Sequence, residues 1–158
     1  MLQKGKNSYV TVVEADRYVA ARYFGDEPAR KHWDALNCVE DKNRLLVRAC
    51  TMLDAMRFPM RKTDTRQTLS WPRGGRRDVP DGIRHAQIEI ALWAASEASG
   101  DTSAETSRAD LIAQGVTSYS IGNLSESLDG SKAAQGAMQS QTVALLLQPY
   151  LSGGYAMC

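Results

Sequence analysis

The residues of this chain best placed to do chemistry are cations rather than nucleophiles. Across residues 57–84 stand eight basic side chains, Arg57, Arg61, Lys62, Arg66, Arg73, Arg76, Arg77 and Arg84, against three acidic ones, Asp64, Asp78 and Asp81. The stretch carries a net +5 in a chain whose formal net charge is +1, so everything outside it sums to −4. A positive field gathered in one place attracts a polyanion, either a nucleic-acid backbone or an acidic protein surface. Residues 67–80 read Gln-Thr-Leu-Ser-Trp-Pro-Arg-Gly-Gly-Arg-Arg-Asp-Val-Pro. Trp71 is a large apolar anchor, Pro72 fixes φ and removes a backbone donor, and Gly74-Gly75 opens backbone conformations closed to other residues. A loop seated by Trp71 and Pro72 is expected, presenting Arg66, Arg73, Arg76, Arg77 and Arg84 to an anionic partner or to DNA. The same composition also suits a solvated loop whose arginines cover the ends of neighbouring helices.

Other chemistries find no support in the residue pattern. His32 and His85 have no partner at metal-ligand spacing and no neighbouring nucleophile. Asp78 and Asp81 stand beside Arg76 and Arg77, which reads as local charge balance rather than an acid–base pair. Gly74-Gly75 lacks the lysine and the preceding strand of a phosphate-binding loop. No enzymatic activity, metal or cofactor is expected. Cys38, Cys50 and Cys158 are an odd set without paired short spacing, which argues against a disulfide framework and for a reducing cytoplasm. The opening Met-Leu-Gln-Lys-Gly-Lys has no apolar core of a signal peptide, and no run approaches the roughly twenty apolar residues of a membrane span. With 158 residues, 43% hydrophobic and 23% charged, one folded domain with one core is expected.

The elements that must position the loop read as mainly α, a small bundle of about four to five helices with a projecting β-hairpin and extended termini. Ser8-Tyr9-Val10 forms a short extended arm that could wrap a neighbour. Thr11 and Glu14 fit a capping box opening a helix over 12–24, closed by Gly25. Asp26 caps a second helix, with Pro28 in its first turn and Trp33 in the core, running to about Leu36. The third, over 41–58, has an apolar stripe of Leu45, Leu46, Ala49, Cys50, Leu53 and Met56 opposite Arg44, Arg48 and Asp54. Pro59 cannot continue it, and the basic loop of about twenty residues follows, a length that is usually functional or disordered. A fourth helix over 83–99 is apolar around much of its circumference, so it lies centrally or between subunits. Residues 100–107 form a polar linker. Around Gly122-Asn123 the period changes to alternation, predicting a hairpin over about 110–129 whose Tyr119, Ile121 and Leu124 would need neighbouring subunits to bury them. A last helix runs over about 133–147. The helical core thus covers about 11–99 and 131–148, with a docking tail over 149–158 anchored by Pro149, Tyr150, Leu151 and Tyr155.

Several of these residues recur in an order that resembles a known family. Ser8-Tyr9-Val10-Thr11 with Glu14-Ala15-Asp16 and Tyr18, then Leu69-Ser70-Trp71-Pro72-Arg73, Val79-Pro80 leading to Ala86, Ile121-Gly122-Asn123-Leu124-Ser125, and Leu146-Leu147 with Pro149-Tyr150-Leu151 are similar to small tailed-phage proteins. These are head-tail connector adaptors, or head-completion proteins, often labelled DnaT-like single-stranded DNA-binding proteins. The resemblance spans nearly the whole chain, with Trp-Pro-Arg its most specific element. It implies a structural protein that forms a homo-oligomeric ring, a dodecamer, in the neck of a tailed double-stranded DNA phage, made in the host cytoplasm and carried in the virion. The C-terminal segment would dock on the portal protein, and a tail, tail-terminator or nozzle protein would bind the other face. The basic loop could meet double-stranded DNA in the channel non-specifically. The alternative function is a sequence-independent, single-stranded DNA-binding protein. Its stacking platform is thin, because only Trp71 lies inside the basic stretch.

Overall fold

The computed structural model describes residues 1–98 and 140–151. Five helices make up the regular structure among them: α1 (Val12–Arg22), α2 (Pro28–Asp34), α3 (Val39–Asp54), α4 (Asp81–Ala98) and α5 (Gln141–Leu151). The helical bundle is therefore as expected, and no strand occurs among the described residues. The hairpin over 110–129 with Tyr119, Ile121 and Leu124, the linker over 100–107 and Tyr155 lie outside them.

Local signals set most of the helix starts. Thr11 caps α1 through the expected reciprocal pair: its hydroxyl accepts from Glu14 N at 3.3 Å, and Glu14 Oε2 accepts from Thr11 N at 2.7 Å. Pro28 opens α2, where its missing N–H costs nothing. Asp26, however, is not the cap. Glu27 stands at the N-cap and makes no capping bond to α2, because its Oε1 instead accepts from Phe24 N at 2.7 Å and closes the turn behind it. Trp33 seats α2: it is fully buried, its indole N–H donates to Asp16 Oδ1 at 2.7 Å, and Lys42 Nζ lies 5.1 Å from its ring centroid.

The third helix buries Leu46, Ala49, Cys50 and Leu53, four positions of the expected stripe, and ends at Asp54 rather than Phe58. The early end frees Phe58 to turn inward, where it is buried with the loop. Between the two possible roles for α4, the structure gives it the central one. Ile83, Ala86, Ile88, Ile90, Ala91, Leu92, Ala94 and Ala95 are all buried on it, and it packs against α2, α3 and α5. The last of these approaches closely: a Cβ on Gly82 would sit 2.7 Å from the Tyr150 ring and 3.1 Å from Leu146 O, so only glycine fits there.

Two terminal segments depart from expectation. The N-terminal residues do not extend to a neighbour. They wind through a turn in which Gly5, at φ 83°, donates from its N to Ser8 O at 2.8 Å, and they bury Ser8, Tyr9 and Val10 in their own core. At the other end, residues 149–151 belong to α5 rather than to a docking tail. Pro149 forfeits a single backbone bond in the last turn, and Tyr150 folds back against Trp71 and Gly82.

Two polar side chains are buried in α4 and each has a dedicated setting. Gln87 bonds Ser8, Tyr9 and Leu46. Glu89, 6% exposed, accepts from the Tyr18 and Tyr23 hydroxyls at 2.6 Å each and pairs with Arg22 Nε at 3.0 Å. Burial, then the hydrogen bond to Glu89 and the charge of that carboxylate, pushes Tyr23 up to about 12 and Tyr18 further up in the same direction. Burial and the charge of Asp54 push the Cys50 thiol up to about 12. All three groups keep their protons longer when folded than when unfolded. Their contribution to stability is complete below the ordinary thiol and phenol values of 9.0 and 10.0 and is lost as pH rises toward 12. Urea midpoints should therefore hold steady from pH 7 to about 9 and fall between about 10 and 12. A midpoint unchanged at pH 11 would contradict the buried seam.

Candidate functional site

The basic stretch between α3 and α4 is an ordered, hydrogen-bonded structure. Residues 61–63 and 72–74 run antiparallel, with Thr63 N donating to Pro72 O at 3.1 Å and Gly74 N donating to Arg61 O at 2.9 Å on either side of a Lys62–Arg73 bridge. The turn between them winds around one amide. Gln67 Oε1 accepts from Asp64 N at 3.0 Å, while its Nε2 donates to Leu69 O at 2.9 Å and Pro72 O at 3.0 Å. Asp64 Oδ1 accepts from Arg66 N at 2.8 Å, an Asx turn that fixes the tip. After Arg73 the chain reverses again: Arg76 N donates to Arg73 O at 3.3 Å across Gly74 and Gly75, whose φ values are 64° and 73°. Positive φ at both central positions is the mark of a type I′ turn and explains the glycine pair. Gly74 is constrained twice, since a Cβ there would also meet Met60 Sδ at 2.7 Å.

Trp71 holds this structure to the bundle. It is 2% exposed, and its ring meets Phe58 and Tyr150 edge-on, each with centroids 5.3 Å apart. The Trp71–Pro72 peptide is cis, and Pro72 is half-buried beside it. A polar clamp reinforces the seat. Trp71 N donates to Tyr9 Oη at 3.1 Å, the Tyr9 hydroxyl donates to Asp54 Oδ1, and Ser70 N donates to Asp54 Oδ2 at 3.0 Å. Burial and the bond to Asp54 raise the Tyr9 phenol well above its usual value, so it stays a donor at every ordinary pH.

The arginines divide into two groups. Arg73 is half-buried and turned inward: Nη1 donates to Phe58 O at 3.2 Å, and its guanidinium lies 5.7 Å from the Phe58 ring centroid. Arg84, also half-buried, pairs with Asp81 on the first turn of α4. Arg73 thus fastens the loop, and the Arg84 charge is balanced within the first turn of α4. Arg57, Arg61, Arg66, Arg76 and Arg77 are exposed. The backbone ladder brings Arg61 beside Gly74, and Thr63 Oγ1 donates to Arg76 O at 3.0 Å, so Arg61, Arg76 and Arg77 share the Gly74-Gly75 turn although they are far apart in sequence.

Tyr9, Asp54 and Gln67 are residues of this site to which sequence reasoning gave no role, and Arg61, counted in the basic stretch, was not among the arginines expected to meet a partner. The pairing that recruits Arg61 had no signal, because the Gly-Gly reversal joins Arg73 to Arg76 and the 61–63 ladder is made by backbone bonds alone. Asp54 had none, because its place on the polar side of α3 reads as solvent-facing. Among the described residues no group of His, Cys, Asp and Glu could hold a metal ion, and no helix is long and apolar enough to cross a membrane.

The site is therefore a rigid cationic turn, and the comparison with known families bears on what it meets. The family model described as "Putative DnaT-like ssDNA binding protein" matches residues 2–158. The chain belongs to this DnaT-like family. No curated protein and no solved structure matches it. The match takes in all five helices and the Trp71 loop, so the cationic turn is part of what the family model covers.

Proposed function

We propose that this chain binds nucleic acid without sequence preference, using the exposed Arg61, Arg76 and Arg77 about the Gly74-Gly75 turn with Arg66 at the neighbouring tip. The observation that carries the reading is the concentration of exposed guanidinium groups on a backbone already fixed by hydrogen bonds, so little backbone ordering cost remains to be met on binding. The description of the DnaT-like family supports the same partner. Binding of this kind rests on counterion release and weakens steeply with salt. Titration of a labelled oligothymidylate by fluorescence anisotropy tests it. Replacing Arg61, Arg76 and Arg77 together with alanine should weaken binding about tenfold or more and flatten the slope of log affinity against log salt by about 2, for three phosphate contacts on a single strand. Unchanged affinity with unchanged circular dichroism would exclude the turn as the interface.

A second reading has its own observation. The outward row of α5, with Ala144, Leu145, Gln148 and Leu151, is exposed, Leu145 at 61%, and this apolar strip suits a protein partner better than water. In that reading the chain is a head-tail adaptor of a tailed double-stranded DNA phage. A dodecameric ring would dock through the α5 end on the portal, bind a tail component on its other face and line the DNA channel with its arginines. Mixing the protein with portal rings and imaging the product tests this, and failure to form a ring or complex at any concentration would sink it.

A further inference from the structure

Among the described residues, the exposed surface of the cationic turn holds guanidinium groups and no aromatic ring. Trp71, the residue that a single-strand reader would use to stack on a base, is 2% exposed and packed between Phe58 and Tyr150. Phe58 is itself buried, and the Tyr150 ring is occupied by Trp71 and by the backbone at Gly82. Lys62 Nζ donates to Gln67 O at 3.3 Å, so the one lysine of the ladder is drawn into the turn. Among the described residues Phe24, 79% exposed, is the aromatic most open to solvent. It belongs to the α1–α2 turn beside Asp26 and Glu27, whose charges would repel a phosphate chain.

From this geometry we infer that the ligand of the turn is the phosphodiester backbone itself, and that the turn distinguishes neither one base from another nor a single strand from a duplex. The inference rests on the proposed nucleic-acid reading and narrows it. Selective single-strand binding needs an open π-face, since stacking is what unpaired bases offer and paired bases withhold. Phosphates are offered by both forms. Arginine forks can take them in pairs, and a backbone pinned by the Gln67 amide and the I′ turn fixes the backbone positions from which those side chains reach out.

Three labelled ligands of equal length separate the possibilities for the full chain: oligothymidylate, its duplex with oligoadenylate, and a strand whose bases are replaced by tetrahydrofuran abasic units. The abasic strand should bind within about fivefold of oligothymidylate, and the duplex should bind at least as tightly as either. The R61A/R76A/R77A variant should weaken all three in parallel. One stacked base contributes about fivefold to a hundredfold in affinity. A loss beyond fivefold on removing the bases, or a duplex bound more than fivefold more weakly than the single strand, would overturn the inference while leaving nucleic-acid binding intact. Absence of binding to all three would overturn the reading on which it rests.

Discussion

Trp71→Ala should lower the stability of the protein by about 3–5 kcal/mol, the range for emptying a buried aromatic site. The indole fills the space where three chain segments meet: the stretch just after α3 through Phe58, the last turn of α5 through Tyr150, and the basic loop that Trp71 belongs to. Neither edge-on partner can collapse into the vacancy, since Tyr150 is held against Gly82 and Phe58 O is held by Arg73. A cavity should therefore persist, and cost rises with residual cavity volume. Trp71→Phe provides the control. The indole Nε1 is buried without a hydrogen-bond acceptor, so phenylalanine gives up volume but no polar contact, and the loss should be about 1–2 kcal/mol. Urea denaturation of the two variants reads both numbers. Equal losses would show that the site relaxes around either side chain. DNA affinity supplies a second readout: the alanine variant loses the anchor that fixes Arg61, Arg76 and Arg77 relative to one another, so its salt slope should fall with its stability, and the phenylalanine variant should keep both.

How much of this was legible in the sequence depended on how local each cause is. The capping box of Thr11 and Glu14, Pro28 at the head of α2 and the Leu46, Ala49, Cys50, Leu53 stripe act within a turn or two of helix, and the structure has them as the sequence implies. The width of the α4 apolar surface told of a helix either central or between subunits, and its packing against α2, α3 and α5 decides for the first. The internal ladder of the loop was hidden, since it joins residues 61–63 to 72–74 by backbone bonds that any side chains could make. So was the division among the arginines. Arg73 and Arg76 look alike in sequence, and only the Phe58 ring and carbonyl, brought up by the early end of α3, turn the first of them inward. Asp54 was the hardest to foresee. It falls on the polar side of α3, yet Tyr9 and Ser70 arrive from the N-terminal segment and the loop to bond it, so its role exists only once the fold does. Tyr150 misled for the opposite reason: a tyrosine after a proline near the C-terminus suggests the anchor of a docking tail, whereas a proline in the last helical turn costs a single bond and lets the ring pack on its own bundle.

Gln87→Leu should cost about 3 kcal/mol although it replaces a polar residue in the core with an apolar one of similar size. Gln87 has no exposed surface and lies between apolar neighbours on α4, where a leucine by itself would be favourable. What the amide does is join three chain segments. Its Oε1 accepts from Tyr9 N at 2.9 Å, and its Nε2 donates to Ser8 Oγ at 2.8 Å and to Leu46 O at 2.7 Å. Leucine leaves the buried Tyr9 N–H without a partner and takes the donor from two buried oxygens, and each unsatisfied group costs about 1–3 kcal/mol, offset in part by the apolar gain. The Ser8 hydroxyl still donates to Val10 O at 2.7 Å and Leu46 O keeps its place in the α3 ladder, so the penalty falls mainly on Tyr9. Displacing Tyr9 reaches the functional site, because the same residue's hydroxyl bonds Trp71 N and Asp54. The variant should therefore lose amide protection at Trp71 as well as at Tyr9 in hydrogen exchange, ahead of global unfolding. Protection lost at Tyr9 alone would show that the N-terminal segment and the basic loop are seated independently; loss at both would establish that a single buried amide on α4 holds the cationic turn in place.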